Sequence, residues 1–243
     1  MSTKNSNFLS LAKKFTFLKK IYFFYNIYIR NYKFIFKSSQ FDEEKKIIKL
    51  LDKNLKGNYV DLGCFHPTRL NNTFHLYKKG WKGINIDLNP LTIELFNFAR
   101  PKDINVCAVI SNQKIKKKLY FLGELDSKNT IDINHKNWLS SHFKIKKKDF
   151  KIKNVKATTL GHILEKYKLY NIDYLNIDIE GHELDVLKTF NFKKFKINVI
   201  CVELLSFNKI SAKRKNQLIS LLKKNKFKLV DKSEINYIFK RIK

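Results

Sequence analysis

Tyr59-Val-Asp-Leu-Gly-Cys-Phe-His-Pro67, followed by Gly83-Ile-Asn-Ile-Asp87 and then by Tyr174-Leu-Asn-Ile-Asp-Ile-Glu-Gly-His-Glu183, decides the fold. Each run is a short apolar strand that delivers acidic residues, and in the first case also a glycine, to its carboxyl end. Open α/β sheets bind ligands outside the carboxyl ends of their strands, at the point where strand order reverses. These carboxylates are therefore expected to line a site. Around them, apolar strands alternate with helical stretches, the pattern of a mostly parallel sheet. The strands are Tyr59–Leu62, Gly83–Asp87, Ile104–Ile110, Tyr174–Ile177 and Val199–Glu203. Helices are expected from Leu70 to Lys79, from Pro90, from Leu160, and from Ser211 to Lys224. Phe227–Asp231 and Tyr237–Arg241 lie close enough to pair as a terminal antiparallel hairpin.

The first turn departs from the dinucleotide fingerprint. A G-x-G-x-x-G loop needs its glycines so that backbone amides can approach a pyrophosphate. Here Gly63 is followed by Cys64, Phe65, His66 and Pro67, a bulky turn in place of that cradle. A ligand without phosphates fits better, and a methionine-derived sulfonium cofactor offers a cation, an amino-acid tail and a ribose. Asp61 would attract the positive end, Gly63 would let the chain pass close to it, and Asp87 would accept the ribose hydroxyls. With Asn89 beside Asp87, these are the candidate cofactor residues.

Asp178 and Glu180 are two apart and point the same way if strand geometry persists. Such a pair can raise a carboxyl pKa, hold a cation or orient an acceptor. Glu180, one step beyond the strand end, is the first choice for deprotonating an acceptor hydroxyl, with Asp178 beside it. His66 and His182 are alternative bases, because imidazole titrates near neutrality; each is equally readable as a turn or cap residue. A hard-cation site from Asp178, Glu180 and Glu203 is conceivable, but spacing alone does not make one and no metal is expected. His75, His135, His142 and His162 read as surface or core residues.

At these residues the chain resembles the FkbM-type S-adenosylmethionine-dependent methyltransferases. The likeness runs from about Tyr59 to Glu203, through Val-Asp-Leu-Gly, Leu76-Tyr-Lys-Lys-Gly-Trp-Lys-Gly-Ile-Asn-Ile-Asp87, Asn89-Pro90, Arg100-Pro-Lys-Asp-Ile104 and Asp178-Ile-Glu-Gly-His-Glu183. The last block is the most specific. Many members carry Ala-Asn or another small pair where this chain has Cys64-Phe65. The resemblance implies an α/β, Rossmann-like class I methyltransferase fold, S-adenosyl-L-methionine as cofactor, and a hydroxyl of a sugar or glycan precursor as acceptor. Two other readings are a nicotinamide-dependent oxidoreductase, disfavoured by the missing glycines, and a noncatalytic lysine-rich nucleic-acid-binding protein.

The nucleic-acid reading comes from composition. With 50 Lys+Arg against 21 Asp+Glu, the formal charge is +29, which favours polyanions. Arginine, the better fork for phosphates and base edges, occurs only at positions 30, 69, 100, 214 and 241. The lysine excess, mixed with Asn, Ile, Phe and Tyr, fits A/T-rich codon usage, so nucleic acid is not the expected partner. Cys64, Cys107 and Cys201 are odd in number and widely spaced, which suits a reducing cytoplasm; Cys107 and Cys201 read as buried strand residues.

One methyltransferase domain, residues 39–243, is expected behind a basic N-terminal extension, residues 1–38. In the extension Phe8, Leu11, Phe15, Leu18, Tyr22, Tyr25 and Ile29 recur at helical steps among lysines. Its uncharged core, Ile21 to Ile29, is too short to span a bilayer. It reads as a helix covering the catalytic domain, an interfacial contact with anionic membrane through residues 8–36, or a cleaved signal. A further helix is expected from Phe41 to Leu51, opened by Ser39-Gln40. The stretch Asn112–Lys156 reads as a long loop for substrate recognition or as disorder, with a short strand at Leu119–Phe121 and irregular chain from Asp126 through Trp138.

Overall fold

The computed structural model describes residues 15–38, 43–51, 56–124, 126–204, 206 and 208–242. Expectations at Phe8, Leu11, and Ser39 to Phe41 lie outside them. Strands β1 (Asn58–Leu62), β2 (Lys82–Asp87), β3 (Ile104–Cys107), β7 (Asn171–Ile177), β8 (Lys196–Glu203), β9 (Phe227–Ser233) and β10 (Asn236–Arg241) form one sheet, in the order β3-β2-β1-β7-β8-β10-β9. The first five are parallel, and β10 runs antiparallel between β8 and β9. This is the mostly parallel sheet with a terminal hairpin read from the sequence. The order reverses between β1 and β7, which opens the crevice there.

Alternation along each strand divides the core between two faces. Val60 and Leu62 pack with Leu175, Ile177, Ile200 and Val202 under the helices of one layer. Tyr59 packs with Tyr174, Val199 and Trp81 against Ile47 of α2 (Glu43–Leu50) and Leu76 of α3 (Phe74–Lys78) on the other. On that second face one register row is polar. Asp61 lies opposite Asn85 on β2 and Asn176 on β7, and Asn85 lies opposite Asn105 on β3.

Helix α3 begins at Phe74, four residues later than expected, because the loop before it is held by Arg100 at the end of α4 (Pro90–Ala99). The Arg100 guanidinium is fully buried. It donates to the Pro67 carbonyl, to Asn71 Oδ1 at 2.7 Å and to Thr73 Oγ1 at 2.9 Å.

The expected strand Ile104–Ile110 is two strands. Ala108 donates its N–H to the Asp87 carbonyl, and the chain then leaves the main sheet. β4 (Val109–Ile110) pairs instead with β6 (Lys151–Thr158), whose other edge carries β5 (Lys116–Phe121). The lysine-rich stretch is thus a second, three-stranded sheet. The irregular chain expected through Trp138 gives way to α5 (Ile133–His142), capped by Asp132 Oδ1 on the N–H groups of Asn134 and His135. Periodicity did not announce this helix, because Trp138, His142 and Phe143 stack on one another at its end instead of forming an apolar stripe. Cys107, expected to be buried, is exposed on the edge strand. The remaining helices are α6 (Leu160–Lys166), α7 (Glu183–Lys188) and α8 (Lys209–Lys224), the last opened by an Asn208–Ser211 capping box.

The described part of the N-terminal extension is helical: α1 (Thr16–Phe24), a π-helical turn over Tyr25–Arg30 and a 3-10 turn over Tyr32–Ile35. Tyr22, Phe23 and Ile27 are buried against Leu91 and Leu95 of α4.

Replacing Arg100 should leave the Pro67 carbonyl, Asn71 and Thr73 without their buried donor. Arg100→Met is expected to lower stability by about 3 kcal/mol or more, seen in urea denaturation as a lower midpoint at unchanged slope.

Candidate active site

A cleft at the carboxyl ends of β1, β2 and β7 brings together Asp61, Gly63, Asp87, Asn89, Asp178 and Glu180. All four expected cofactor residues and two of the four expected catalytic ones line it. Gly63 has φ +83°, and a Cβ there would sit 1.6 Å from the Asp178 carbonyl oxygen. Only glycine lets β1 and β7 converge while Gly63 N–H donates to Ile86 and Asp178 N–H donates to Leu62, each at 2.9 Å.

The buried Asp61 carboxylate accepts from Asn176 Nδ2 on one oxygen, and from Asn71 Nδ2 at 2.9 Å and Thr73 Oγ1 at 2.7 Å on the other. Asp87 accepts from Phe65 N–H at 3.1 Å on one oxygen and from Asn89 N–H at 2.7 Å on the other. Burial outweighs these two donors and pushes the Asp87 carboxyl up to about 6. The Asn89 side chain caps α4 through the Leu91 N–H, leaving its amide nitrogen for a ligand.

Strand geometry does not persist from Asp178 to Glu180. β7 ends at Ile177, and Glu180 stands in the left-handed region at φ 58°, followed by Gly181 at 97°. The turn is held from several sides. Glu183 Oε1 accepts from Ile179 and Gly181 N–H, and Thr130 Oγ1 donates to the Glu180 carbonyl at 3.1 Å. Asp178 and Glu203 both line the cleft, and burial, then the Asp178 charge, raises Glu203 well above the ordinary range.

Glu180 has a partner that the sequence did not disclose. His135, on α5, places Nδ1 against the Glu180 carbonyl oxygen and Nε2 at 3.2 Å from Glu180 Oε2. A carbonyl only accepts, so Nδ1 carries hydrogen, and Nε2 lies within ion-pair distance of the Glu180 carboxyl. Burial, then the neighbouring Asp178 and Glu183, raises Glu180 well above the carboxylate range, while burial lowers His135.

The two histidines expected as bases stand elsewhere. His66 is buried with Nε2 at 2.9 Å from Asn26 Oδ1 and Nδ1 accepting from the Thr68 and Arg69 N–H groups. Burial, then Arg69, holds it down to about 3; it fastens the β1–α3 loop to the N-terminal segment. His182 lies between Ser111 Oγ and Asp185 Oδ2, each at 3.2 Å. Asp178, Glu180 and Glu203 do not converge as cation ligands. Among the described residues, Asp132, His182 and Asp185 do come together. There the Arg214 guanidinium already meets Asp185 Oδ2 at 2.9 Å, and Asp132 is committed to capping α5.

The sheet order, the glycine at the switch point and the acid ending β2 define a methyltransferase of class I architecture. The chain belongs to the methyltransferase FkbM domain family, which it matches over residues 61–229. Its cofactor is S-adenosylmethionine. Two solved structures are similar. One is a candidate rRNA-methylase from Clostridium thermocellum, 10% identical, covering 83% of this chain and 96% of its own, with a TM-score of 0.42. The other is a TehB-like SAM-dependent methyltransferase from Corynebacterium glutamicum, 12% identical, covering 82% and 87%, with a TM-score of 0.41. No curated protein matches the chain.

The cleft fits this cofactor. Gly63 brings the β1 backbone against Asp178 where no side chain would fit, and each Asp87 oxygen holds one N–H donor and retains a lone pair for a ribose hydroxyl. Hydroxyl donors favour the ionised carboxylate, so binding should release the proton Asp87 carries below about pH 6. S-adenosylhomocysteine affinity should therefore fall as pH drops through that value, by up to about tenfold per unit. Asp87→Asn should flatten this acid limb in calorimetric titrations. It should also weaken binding near neutral pH by about 1.5–3 kcal/mol for a lost charge-assisted bond. Unchanged pH dependence in a folded Asp87→Asn protein removes Asp87 from the site.

Proposed function

We propose that this protein transfers a methyl group from S-adenosylmethionine to a hydroxyl of a sugar or glycan precursor, with Glu180 as the base. The Glu180–His135 pair is the observation that carries the reading. S-adenosylmethionine supplies an electrophilic methyl on a sulfonium cation. An alcohol attacking it must lose its proton, and a positioned base contributes about 10²–10⁴-fold.

Glu180 lines the cleft with its carboxyl backed by His135. A cation among these carboxylates favours their ionised forms. The ionised Glu180 carboxylate can then accept the proton of the acceptor hydroxyl, with His135 Nε2 3.2 Å away. Asp178, just beyond the end of β7, favours the same cation when ionised. The cleft wall adds neutral polar side chains, Asn72 and Ser127 among them, that suit a polyhydroxyl acceptor. Ser127, Asn129 and Thr130 come from the inserted stretch, which gives it the substrate-recognition role. The unpaired cysteines support a cytoplasmic setting.

Glu180→Gln is expected to keep cofactor affinity within a few-fold while losing roughly 10²-fold or more in single-turnover rate. The assay is labelled methyl incorporation into nucleotide sugars and surface glycans. His135→Gln should retain cofactor binding, lower turnover, and move the acid limb of the rate profile to higher pH, because the carboxylate loses the neighbouring ring that can carry positive charge. Near wild-type rates in Glu180→Gln would end its assignment as base.

A further inference from the structure

The N-terminal segment is apolar on two sides. Tyr22, Phe23 and Ile27 face inward onto α4. Facing outward, Phe17, Ile21, Phe24, Tyr25, Tyr28 and Ile29 repeat at three- and four-residue steps and stay exposed, Phe17 at 73%. Tyr32 and Phe36 extend the stripe, Phe36 at 78% exposure. A helix that only covers a domain needs one apolar stripe and turns polar residues outward. Here the outer residues are aromatic and aliphatic, and the charges among them are all basic: Lys20, Arg30, Lys33 and Lys37. No acidic residue precedes Asp42 in the sequence. Lys19, at the margin, is already paired with Glu94 of α4 at 2.7 Å.

We propose that this outward stripe docks the protein on the surface of an anionic lipid bilayer. The rings and aliphatic chains enter the headgroup boundary, and Lys20, Arg30, Lys33 and Lys37 meet lipid phosphates. Charge decides between occupants. Two copies of this face would bring like charges together, whereas an anionic surface complements them. No helix among the described residues is long and apolar enough to cross a membrane, so the contact is interfacial.

The stripe is also fastened to the cleft. Asn26 holds His66, and the Ser38 carbonyl accepts the Asn71 N–H at 2.9 Å. The loop that holds those two residues carries Phe65, Leu70 and Asn71 into the cleft wall. Docking brings that wall beside the lipid.

The test is flotation of the full chain with phosphatidylcholine vesicles, with and without phosphatidylglycerol. Binding should require the anionic lipid and weaken with added salt. Phe17→Ser, Phe24→Ser and Ile29→Ser combined should lower vesicle partitioning by roughly tenfold or more at unchanged melting temperature, since all three side chains are exposed. Lys20→Glu with Lys33→Glu should abolish the preference for anionic vesicles. The proposal fails if the full chain does not float with anionic vesicles, or if the triple variant floats as well as the parent. It fails too if light scattering shows a dimer that the triple variant dissolves, in which case a second copy covers the stripe.

Discussion

A buried carboxylate and a buried guanidinium, separated by one layer of neutral side chains, hold the cleft open. Arg100 donates to Asn71 Oδ1 and Thr73 Oγ1; Asn71 Nδ2 and Thr73 Oγ1 in turn donate to Asp61. The intervening dipoles all point from positive to negative. Each charge therefore keeps its hydrogen bonds without direct contact, and every member of the network has a partner, the condition under which buried polar groups specify a structure. Because this network fixes the loop from Cys64 to Thr73, Gly63 can lie against the Asp178 carbonyl, and Phe65 can offer its N–H to Asp87 despite φ 52° at that residue. The strain at Phe65 is thus offset by a charge-assisted bond at the cofactor site.

The cleft and the rest of the molecule have opposite electrostatic characters. A chain of formal charge +29 concentrates Asp61, Asp87, Asp178, Glu180 and Glu203 in one cavity. Burial raises Asp87, Glu180 and Glu203, because removing a carboxylate from water disfavours its charged form. A cationic ligand resolves this conflict by stabilising the ionised forms. The lysine-rich exterior draws anionic molecules toward the protein, while the interior selects for positive charge.

The sequence made the main sheet legible because its strands are short apolar runs ending in Asp or Glu, and because the terminal pair is closely spaced. The grouping of the candidate cofactor residues in one cleft was legible for the same reason: strand ends fix where Asp61, Gly63 and Asp87 stand. What was hidden depends on contacts distant in sequence or on single dihedral angles. His135 reaches Glu180 from a helix with little amphipathic signal, and nothing in its own neighbourhood marks it. The one local hint was the Asp132 cap, an Asp ahead of a helical stretch. Glu180 at φ 58° broke the two-residue alternation used to aim it, yet the turn still brought it into the cleft. The break at Ala108 could not be seen in an unbroken apolar run, because it is made by a backbone bond to Asp87. His66 looked like a base beside the site, but Asn26, forty positions away, turned it into a clasp.

The N-terminal segment shows how far periodicity reaches. Apolar residues at three- and four-residue steps identify a helix, and they do so whether the face meets protein or lipid. In this chain both faces satisfy the rule, so the spacing that suggested a covering helix also fitted an interfacial one. The structure separates the two sets: Tyr22, Phe23 and Ile27 are consumed by α4, and the outward set is left over. The inward contact and the outward stripe are thus complementary consequences of one segment, and the reading as packing helix does not compete with the reading as membrane contact. Anchoring α1 to the domain even favours the second, because a helix already folded on α4 presents its outer rings without the ordering cost that a free amphipathic segment incurs on reaching a bilayer.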